Sequence, residues 1–382
     1  MLVEAFLDTK PLYYDVIDYE RMPKAYESIR SFLNLPKIIH IVGTNGKGTT
    51  GRFLATMLHE NGLHVGHYTS PHILKFNERI WLDGHDVKDH VLEAAHQTLL
   101  SYLAPDVAAA LSYFEYTTFL AMVIFSKQCD YVVLEAGLGG EYDATNVFPK
   151  VLSIVTPIGL DHQAFLGEDI EAIAQTKINS VCNEMVLAKQ YAPEVALIAH
   201  KRSKLCGYSV YEVEKFFDEK SLLDRENDVT FGALPVFLKE NFKTAYCALR
   251  VLGYDSISTL KVETVLKGRC QKILPNVTID VGHNSMAAEA LVQRFAGKKI
   301  CLVYNSYKDK DFVAILTLLK PIIDVLFLID IQSPRAALKQ DIEVVAHTLG
   351  IDCAPFYGIE EGKEYLVFGS FSVVEAFLRG MK

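Results

Sequence analysis

Short apolar runs alternate with amphipathic segments along most of the chain. The runs at 38–42, 131–137 and 151–158 are almost wholly apolar, as in strands that are buried on both faces of a sheet. Between them, residues 86–103 and 115–128 carry apolar side chains three and four positions apart, which predicts helices. This alternation predicts an α/β fold with a mostly parallel sheet covered on both faces.

The same pattern restarts after the segment 267–275. Apolar runs typical of strands lie at 277–282, 299–304, 324–330 and 365–369, and helical spacing lies at 284–296, 309–319, 335–349 and 370–380. We therefore predict two domains, residues 1–272 and a smaller Rossmann-like α/β domain at 273–382.

Five other segments complete the pattern. Residues 12–34 have helical spacing, which predicts a packing helix before the first strand. Residues 76–84 alternate like a strand and end in an Asp-Gly turn. Helices are predicted at 169–182 and 235–252, and residues 184–232 are predicted to be rich in strands.

The segment 38–50, which reads IIHIVGTNGKGTT, predicts a strand, a glycine-rich turn and a helix. In this setting, backbone N–H groups freed by the glycines point inward, and the start of the helix adds positive partial charge, so the turn is suited to phosphate. Lys47 would reach the β- and γ-phosphates, and the hydroxyl of Thr49 or Thr50 would serve Mg²⁺. The match to G-x-x-x-x-G-K-[ST] is imperfect, because Gly48 lies between Lys47 and Thr49.

Three residues with metal-binding side chains lie at the ends of predicted strands. Ser70 lies in the segment 64–72, a predicted short strand that breaks at Pro71, Glu135 lies near the end of the run 131–137, and His162 follows the run 151–158. Ligands in α/β sheets bind at the carboxyl ends of strands, so these side chains are expected to converge near Lys47. A carboxylate inside the apolar run that contains Glu135 is costly to bury without a partner. Taken alone, Ser70 and His162 also fit ordinary turn and loop positions.

The variant GTNGKG followed by a hydroxyl residue resembles the Mur ligase superfamily and, within it, the dihydrofolate synthase/folylpolyglutamate synthase family. The segments TSPH, LEAGLGGEYDATN and LDHQAFLG resemble successive blocks of that family, in the same order. Later segments that resemble family blocks are ENFKTAYCAL, the Gly-Arg pair at 268–269, DVGHNS, SYKDKDF and YLVFGSF.

The resemblance implies an ATP site and two metal sites. Ser70, Glu135 and His162 would hold Mg²⁺, and Lys177 would be carbamylated and help to hold a second ion. Without the resemblance, Lys177 reads more readily as a solvated helix lysine. The implied nucleotide-binding residues are Gly43, Thr44, Asn45, Gly46, Lys47, Gly48, Thr49, Asn241, Arg269, Asp280 and His283. The implied catalytic residues are Lys47, His162, Lys177 and Arg269.

The resemblance also implies a pteridine site. Phe114 would stack on the pterin ring and Asp143 would hydrogen-bond its amino-pyrimidine edge, with Ser112 and Ala144 beside them. Phe114 is equally well interpreted as a core residue.

This sequence departs from the family pattern at several of these blocks. Glu141 stands where the family usually has arginine, and Ile-Asn rather than Ala-Gly follows Lys177. Cys270 and Gln271 replace the usual acidic continuation after Gly-Arg, and Ser285 replaces proline.

The composition limits the classes of partner. The net charge is −9 over 382 residues, so the surface as a whole does not favour nucleic acid or anionic membrane. Seven scattered cysteines without a CxxC pair predict reduced thiols and a cytoplasmic protein, and the start MLVEAFLDTK lacks the basic region of a signal peptide. We expect a monomer.

The function predicted is that of an ATP-dependent ligase. It would add L-glutamate to dihydropteroate, to reduced folates or to both, through an acyl phosphate, with ATP bound between the two domains. One alternative is a peptidoglycan-type Mur ligase, but only some 37 residues precede the phosphate loop, too few for a separate UDP-sugar domain. The other is a nucleotide-binding regulatory protein without catalysis, which would not need the metal-binding residues.

Overall fold

The chain folds into two units. In a computed structural model, residues 2–12, 18–216, 229–255 and 265–381 are described. The first unit comprises Met1–Ile158, Gln163–Gly232 and Glu240–Thr264, and the second comprises Gly159–His162, Ala233–Lys239 and Val265–Lys382. The boundary that the sequence analysis sets after residue 272 lies in the last of these segments.

The first unit is built on an eight-stranded sheet with the order β4-β3-β2-β5-β1-β6-β7-β8. Its strands are β1 Lys37–Val42, β2 Val65–Tyr68, β3 Ile80–Leu82, β4 His85–Asp86, β5 Tyr131–Glu135, β6 Leu152–Val155, β7 Met185–Leu187 and β8 Val210–Glu212. Neighbouring strands from β2 across the sheet to β8 pair in parallel. The pairs β2–β3 and β3–β4, at one edge, are antiparallel. Because β1 lies near the centre, five of its six residues are buried.

Helices precede, connect and follow these strands along the chain. Those from the N-terminus to the fifth strand are Val3–Leu7, Arg21–Ile29, Lys47–Glu60, Asp89–Tyr102, Pro105–Ala110 and Tyr113–Phe125. Those that follow are Gln163–Leu166, Ile170–Ile178, Pro193–Cys206, Val213–Phe216, Val229–Ala233 and Val236–Val251. Single 3₁₀ turns are Arg30–Phe32, Phe76–Arg79 and Ala144–Val147.

The helix Tyr113–Phe125, here called the interior helix, lies inside the first unit. Every residue from Tyr116 to Phe125 is buried, so this part of the helix has no face exposed to solvent, as expected for an interior helix. It packs against the helix Asp89–Tyr102 and strand β2. The packing fixes the start of the helix, where Ser112 and Phe114 lie.

The second unit contains a six-stranded sheet with the order β13-β12-β11-β14-β10-β9. Its strands are β9 Gln271–Leu274, β10 Val277–Asp280, β11 Ile300–Tyr304, β12 Ile323–Leu328, β13 Asp352–Pro355 and β14 Tyr365–Phe368. Its helices are Ser285–Arg294, Phe312–Leu319, Lys339–Thr348 and Phe371–Gly380, with a 3₁₀ turn at Lys320–Ile322. Only β9 pairs antiparallel, which confirms the predicted α/β class.

Three predictions of local structure need correction. Residues 184–232 are not rich in strands as far as they are described: the helix Pro193–Cys206 separates two strands of three residues each. Its buried face consists of Val195, Ala199 and Ser203, a narrow stripe of mostly small side chains that gives a weak helical signal. Residues 217–228 of that prediction lie outside the described residues.

The predicted strand at 76–84 begins as the 3₁₀ turn Phe76–Arg79. The Glu78 carboxylate accepts N–H bonds from Ile73 at 2.7 Å and from Leu74 at 3.1 Å, and such local bonds compete with a strand ladder. The predicted helix at 12–34 is shorter, Arg21–Ile29, and its residues 13–17 lie outside the described residues. No helix among the described residues combines the length and apolarity that a membrane crossing requires.

Candidate active site

The glycine-rich turn after β1 leads directly into the helix Lys47–Glu60, here called the phosphate-loop helix. Gly46 is its N-cap residue and has φ +86°, a left-handed conformation that favours glycine. At Gly43, a Cβ would lie 2.0 Å from Thr156 Oγ1, so that position also has room only for glycine. The turn thus has the tight backbone and the helix N-terminus that anion binding needs.

Two lysine side chains converge on the turn. Lys47 Nζ donates to Gly43 O at 3.1 Å, and Lys177 Nζ donates to the same oxygen at 3.0 Å. Lys177 is only 4% exposed, so its reading as a solvated helix lysine is wrong. It lies near the end of the helix Ile170–Ile178, here called the Lys177 helix, which Asp169 caps through Ala172 N.

The two hydroxyls that follow the turn have no hydrogen-bond partner among the described residues. Thr49 Oγ1 and Thr50 Oγ1 are buried and make no hydrogen bond with the part of the chain that the structure describes. The Asn241 side chain lies against the turn, because a Cβ at Gly46 would be 2.4 Å from Asn241 Oδ1. Unpaired hydroxyls beside a phosphate loop fit a bound nucleotide and metal ion, whose oxygens and positive charge would satisfy them.

Ser70 and Glu135 lie close together, as predicted for residues that end neighbouring strands. Ser70 N donates to Glu135 Oε2 at 3.2 Å, and Thr69 Oγ1 donates to the same oxygen. Glu135 is 6% exposed. Thr69 is therefore the partner that makes burial of this carboxylate tolerable, and the sequence analysis missed it.

His162 belongs to the second unit, with Asp161, His283 and Lys310. It has φ +55°, and its Nε2 is 4.0 Å from Asp161 Oδ1. The Asp161 carboxylate also lies 2.5 Å from Lys310 Nζ and 3.4 Å from His283 Nε2. Burial opposes ionisation of Asp161, but the hydrogen bond to His283 and the nearby positive charges outweigh it and hold the pKa of Asp161 well below its ordinary value.

Asp280 ends β10, and both its oxygens are engaged. Gly282 N donates to Oδ1 at 2.7 Å and Cys270 N donates to Oδ2 at 2.8 Å. Burial raises the pKa of Asp280, and the charge of Arg269 partly opposes this. The Arg269 guanidinium lies 5.2 Å from the centroid of the Phe371 ring.

The residues expected at the pteridine site surround the start of the interior helix. Ser112 Oγ accepts from Glu115 N at 3.2 Å, so Ser112 caps that helix. Phe114 is half-buried and covers Gly137, where a Cβ would lie 2.7 Å from its ring. Glu115, which the sequence analysis missed, forms an ion pair of 3.0 Å with Arg21.

Asp143 and Ala144 lie near the end of the segment 137–146, here called the glycine-rich loop, and are buried. Leu138 N donates to Asp143 Oδ2, and Thr145 N donates to Oδ1, both at 2.9 Å. Burial raises the pKa of Asp143, while these bonds act in the opposite direction.

Comparison with known proteins now decides the family. No protein-family profile matches the chain. The dihydrofolate synthase/folylpolyglutamate synthase of Haemophilus influenzae is 30% identical over 411 residues, covering 94% of this chain and 92% of the relative. The chain belongs to the dihydrofolate synthase/folylpolyglutamate synthase family.

Solved structures of family members have the same fold. The crystal structure of Helicobacter pylori folylpolyglutamate synthetase is 36% identical with a TM-score of 0.77, and covers 99% of this chain and 97% of that one. A bifunctional folylpolyglutamate synthase/dihydrofolate synthase with Mn, AMPPNP and L-glutamate bound is 25% identical with a TM-score of 0.80, and covers 100% and 98%.

Two departures from the family pattern contact each other in this chain. Asn179 Nδ2 donates to Glu141 Oε2 at 2.9 Å, so the changes at the two positions form one polar contact. Glu141 N also donates to Thr176 O at 2.9 Å. Together these bonds tie the glycine-rich loop to the Lys177 helix.

The remaining departures have local structural roles. Gln271 Oε1 accepts from Gly268 N at 2.9 Å, and Cys270 N binds Asp280 as described above. Ser285 begins a helix that Asn284 caps through Ala287 N at 3.0 Å.

Proposed function

We propose that this chain is an ATP-dependent ligase that joins L-glutamate to the carboxylate of dihydropteroate, of a reduced folate or of both. The γ-phosphate of ATP is transferred to an oxygen of that carboxylate, which gives an acyl phosphate and ADP. The amine of L-glutamate then attacks the acyl carbon, an amide bond forms, and phosphate leaves. The observation that carries this proposal is the convergence of Lys47 and Lys177 on the carbonyl of Gly43 in a phosphate loop.

The chain's own residues position ATP and neutralise its charge. The backbone N–H groups of residues 46–49 would donate to phosphate oxygens, since the first turn of the phosphate-loop helix has no carbonyl one turn earlier to accept from them. The N–H groups of Thr44 and Asn45 donate to Pro157 O, at 2.9 Å and 3.2 Å, and are not part of this set. Lys47 must turn from Gly43 O towards the β- and γ-phosphates. Asn241, whose side chain lies against Gly46, would approach the adenine. By the family resemblance, Arg269, Asp280 and His283 would also contact the nucleotide. Positioning and electrostatic stabilisation supply most of the catalysis of phosphoryl transfer.

Mg²⁺ fits the oxygen-rich residues near the loop. Ser70 and Glu135 would hold one ion, because a hydroxyl and a carboxylate are ligands that this ion accepts. His162 is added to this ligand set only by the family resemblance. The unpaired hydroxyl of Thr49 supports this fit. When bound, the ion neutralises phosphate charge and orients the reacting groups.

Lys177 would serve a second metal site as a carbamate. Its ammonium form would repel a cation, whereas carbamylation replaces that charge with an anionic oxygen donor of the kind Mg²⁺ prefers. Its burial beside the phosphate loop supports this role, because a lysine that only faced solvent would not be buried with its Nζ against Gly43 O.

The pteridine end of the substrate would lie against Phe114 and Asp143. Phe114 offers a ring face beside Gly137, and Asp143 offers a buried carboxylate to the amino-pyrimidine edge. Ser112 and Ala144 border the same region. These assignments rest on the positions of the residues at the start of the interior helix and the end of the glycine-rich loop.

We further propose a cytoplasmic monomer with a nucleotide-binding N-terminal domain and a smaller C-terminal domain. Seven free cysteines with no disulfide between described residues support a reducing compartment.

The product balance tests the proposed function. ADP and phosphate should form only when a pteroyl carboxylate and L-glutamate are both present, and labelled glutamate should appear in the product. Dihydropteroate and tetrahydrofolate are offered separately, which assigns the substrate. Equal ATP turnover without either substrate, or release of AMP, would refute the ligase, and ATP binding with no turnover would favour a regulatory protein.

A further inference from the structure

Three buried side chains form a continuous hydrogen-bonded chain beneath the glycine-rich loop. Thr145 Oγ1 donates to Asp143 Oδ1 at 2.5 Å, and His40 Nε2 lies 2.7 Å from Thr145 Oγ1. His40 and Thr145 are completely buried, and Asp143 is 6% exposed. His40 and Thr145 are 105 positions apart in the sequence, so only the fold brings them together.

The direction of these bonds follows from the donors available. A hydroxyl has a single hydrogen, and Thr145 gives it to the carboxylate, which when ionised only accepts. Thr145 Oγ1 must therefore accept from His40, which assigns the Nε2–H tautomer to this imidazole. His40 Nδ1 has no partner within the described ranges. Burial, with the nearby charge of Lys150, holds the pKa of His40 well below its ordinary value, so the ring is neutral and has only one N–H to donate.

This arrangement fixes the orientation of the Asp143 carboxylate. Oδ1 receives both the N–H and the hydroxyl of Thr145, and Oδ2 receives the N–H of Leu138. A carboxylate held by three donors from two sides cannot rotate about its χ2 angle without losing bonds. The edge that it presents to a ligand is therefore set before the ligand binds.

The hydrogen bonds from Asp143 through Thr145 to His40 also link two parts of the first unit. Thr145 lies in the 3₁₀ turn Ala144–Val147, whereas His40 lies in β1, three residues before Gly43 of the phosphate loop. In β1, His40 lies opposite Leu134 of β5 and Ser153 of β6, so its backbone is held on both sides by the sheet. His40 thus anchors the glycine-rich loop to a strand near the centre of the sheet.

We propose that Thr145 and His40 are positioning residues that orient Asp143 for recognition of the pteridine ring. This inference rests on the proposed function, because it requires Asp143 to bind the substrate. The physical gain is pre-organisation: a carboxylate already aligned by Thr145 and His40 loses less freedom when the ligand binds.

The experiment measures KM and kcat for the pteroyl substrate that is turned over, and KM for ATP, in matched variants. Thr145→Val keeps the shape and removes the hydroxyl, and Thr145→Ser keeps the hydroxyl. For Thr145→Val we expect KM for the pteroyl substrate to rise about tenfold, the scale of one hydrogen bond to a charged group, with KM for ATP unchanged. Thr145→Ser should restore pteroyl KM to within about twofold of the wild-type value.

A second pair keeps the test valid if Thr145→Val does not fold. His40→Gln retains an N–H donor and His40→Leu does not, so only His40→Leu should raise pteroyl KM. Thermal unfolding of every variant is recorded, because a purely structural role would lower stability without separating the two KM values. Equal pteroyl KM values for wild type and for folded Thr145→Val, or for wild type and folded His40→Leu, would overturn the proposal.

Asp143→Asn separates this inference from the proposed function. A rise in pteroyl KM for Asp143→Asn, together with a rise for Thr145→Val that Thr145→Ser removes, supports both. A rise for Asp143→Asn alone refutes the positioning role of Thr145 and His40 and leaves the role of Asp143 intact. No change for Asp143→Asn refutes substrate binding by Asp143, and the positioning role with it.

Discussion

The two unpaired hydroxyls after the phosphate loop give a prediction in which stability and activity change in opposite directions. Thr49 Oγ1 and Thr50 Oγ1 are buried without a hydrogen-bond partner among the described residues. Leaving a buried polar group unpaired costs about 1–3 kcal/mol. Valine has nearly the same shape and a similar helix propensity, so Thr49→Val and Thr50→Val should each remove most of that cost.

The expected gain is measurable. For a domain of roughly 150–250 residues, 1 kcal/mol corresponds to about 2–4 °C in Tm, so each variant should unfold a few degrees higher than wild type without nucleotide. If Thr49 serves the nucleotide and its metal ion, Thr49→Val should also lose about 10- to 100-fold in kcat/KM for ATP, the scale of a hydrogen bond to a charged group. Thr50→Val is the comparison variant: a loss of kcat/KM for ATP in Thr49→Val alone would assign the nucleotide role to Thr49 rather than to Thr50.

Calorimetric unfolding and steady-state kinetics test both parts. Added ATP and Mg²⁺ should raise the Tm of wild type and Thr50→Val more than that of Thr49→Val, because tighter binding to the folded state gives greater stabilisation. A lower Tm for both variants without ligand would show that the hydroxyls are paired in the free protein. Loss of turnover in Thr50→Val instead of Thr49→Val would transfer the nucleotide role to Thr50.

Three further changes test the site. Gly46→Ala should unfold at a lower urea concentration than Gly62→Ala. Both positions have φ near +85°, but only at Gly46 would the new Cβ meet Asn241 Oδ1, at 2.4 Å. Equal urea midpoints for the two variants would contradict this crowding. Glu135→Gln keeps the shape but removes the charge, so kcat should fall at least about 10²-fold and the Mn²⁺ needed for half-maximal rate should rise; near-normal turnover would make Glu135 a structural carboxylate. Lys177→Ala should be almost inactive, and concentrated acetate should restore part of its activity. Wild type should lose activity when it is prepared without CO₂ and bicarbonate. If neither effect is seen, Lys177 does not act as a carbamate.

Much of the fold could be predicted because its signals are local. The apolar runs that became β1, β5 and β6, and the helical spacing of the second unit, depend on neighbours a few positions away. The phosphate loop has the same character, since Gly43 and Gly46 are required by the backbone of a single turn. Local prediction failed where the signal was weak, as in Pro193–Cys206, or where a side chain replaced a strand bond, as Glu78 does.

The partners of the site residues were decided only by the tertiary structure. The sequence placed Glu135 in the site through its strand-end position and Lys177 through the family resemblance. It did not show that Thr69 donates to the carboxylate or that Gly43 O accepts from the amine. It showed Glu141 as an unexplained change of charge, and the fold pairs that side chain with Asn179. A hydrogen bond depends on positions set by the packing of whole elements, and no periodicity along the chain records it.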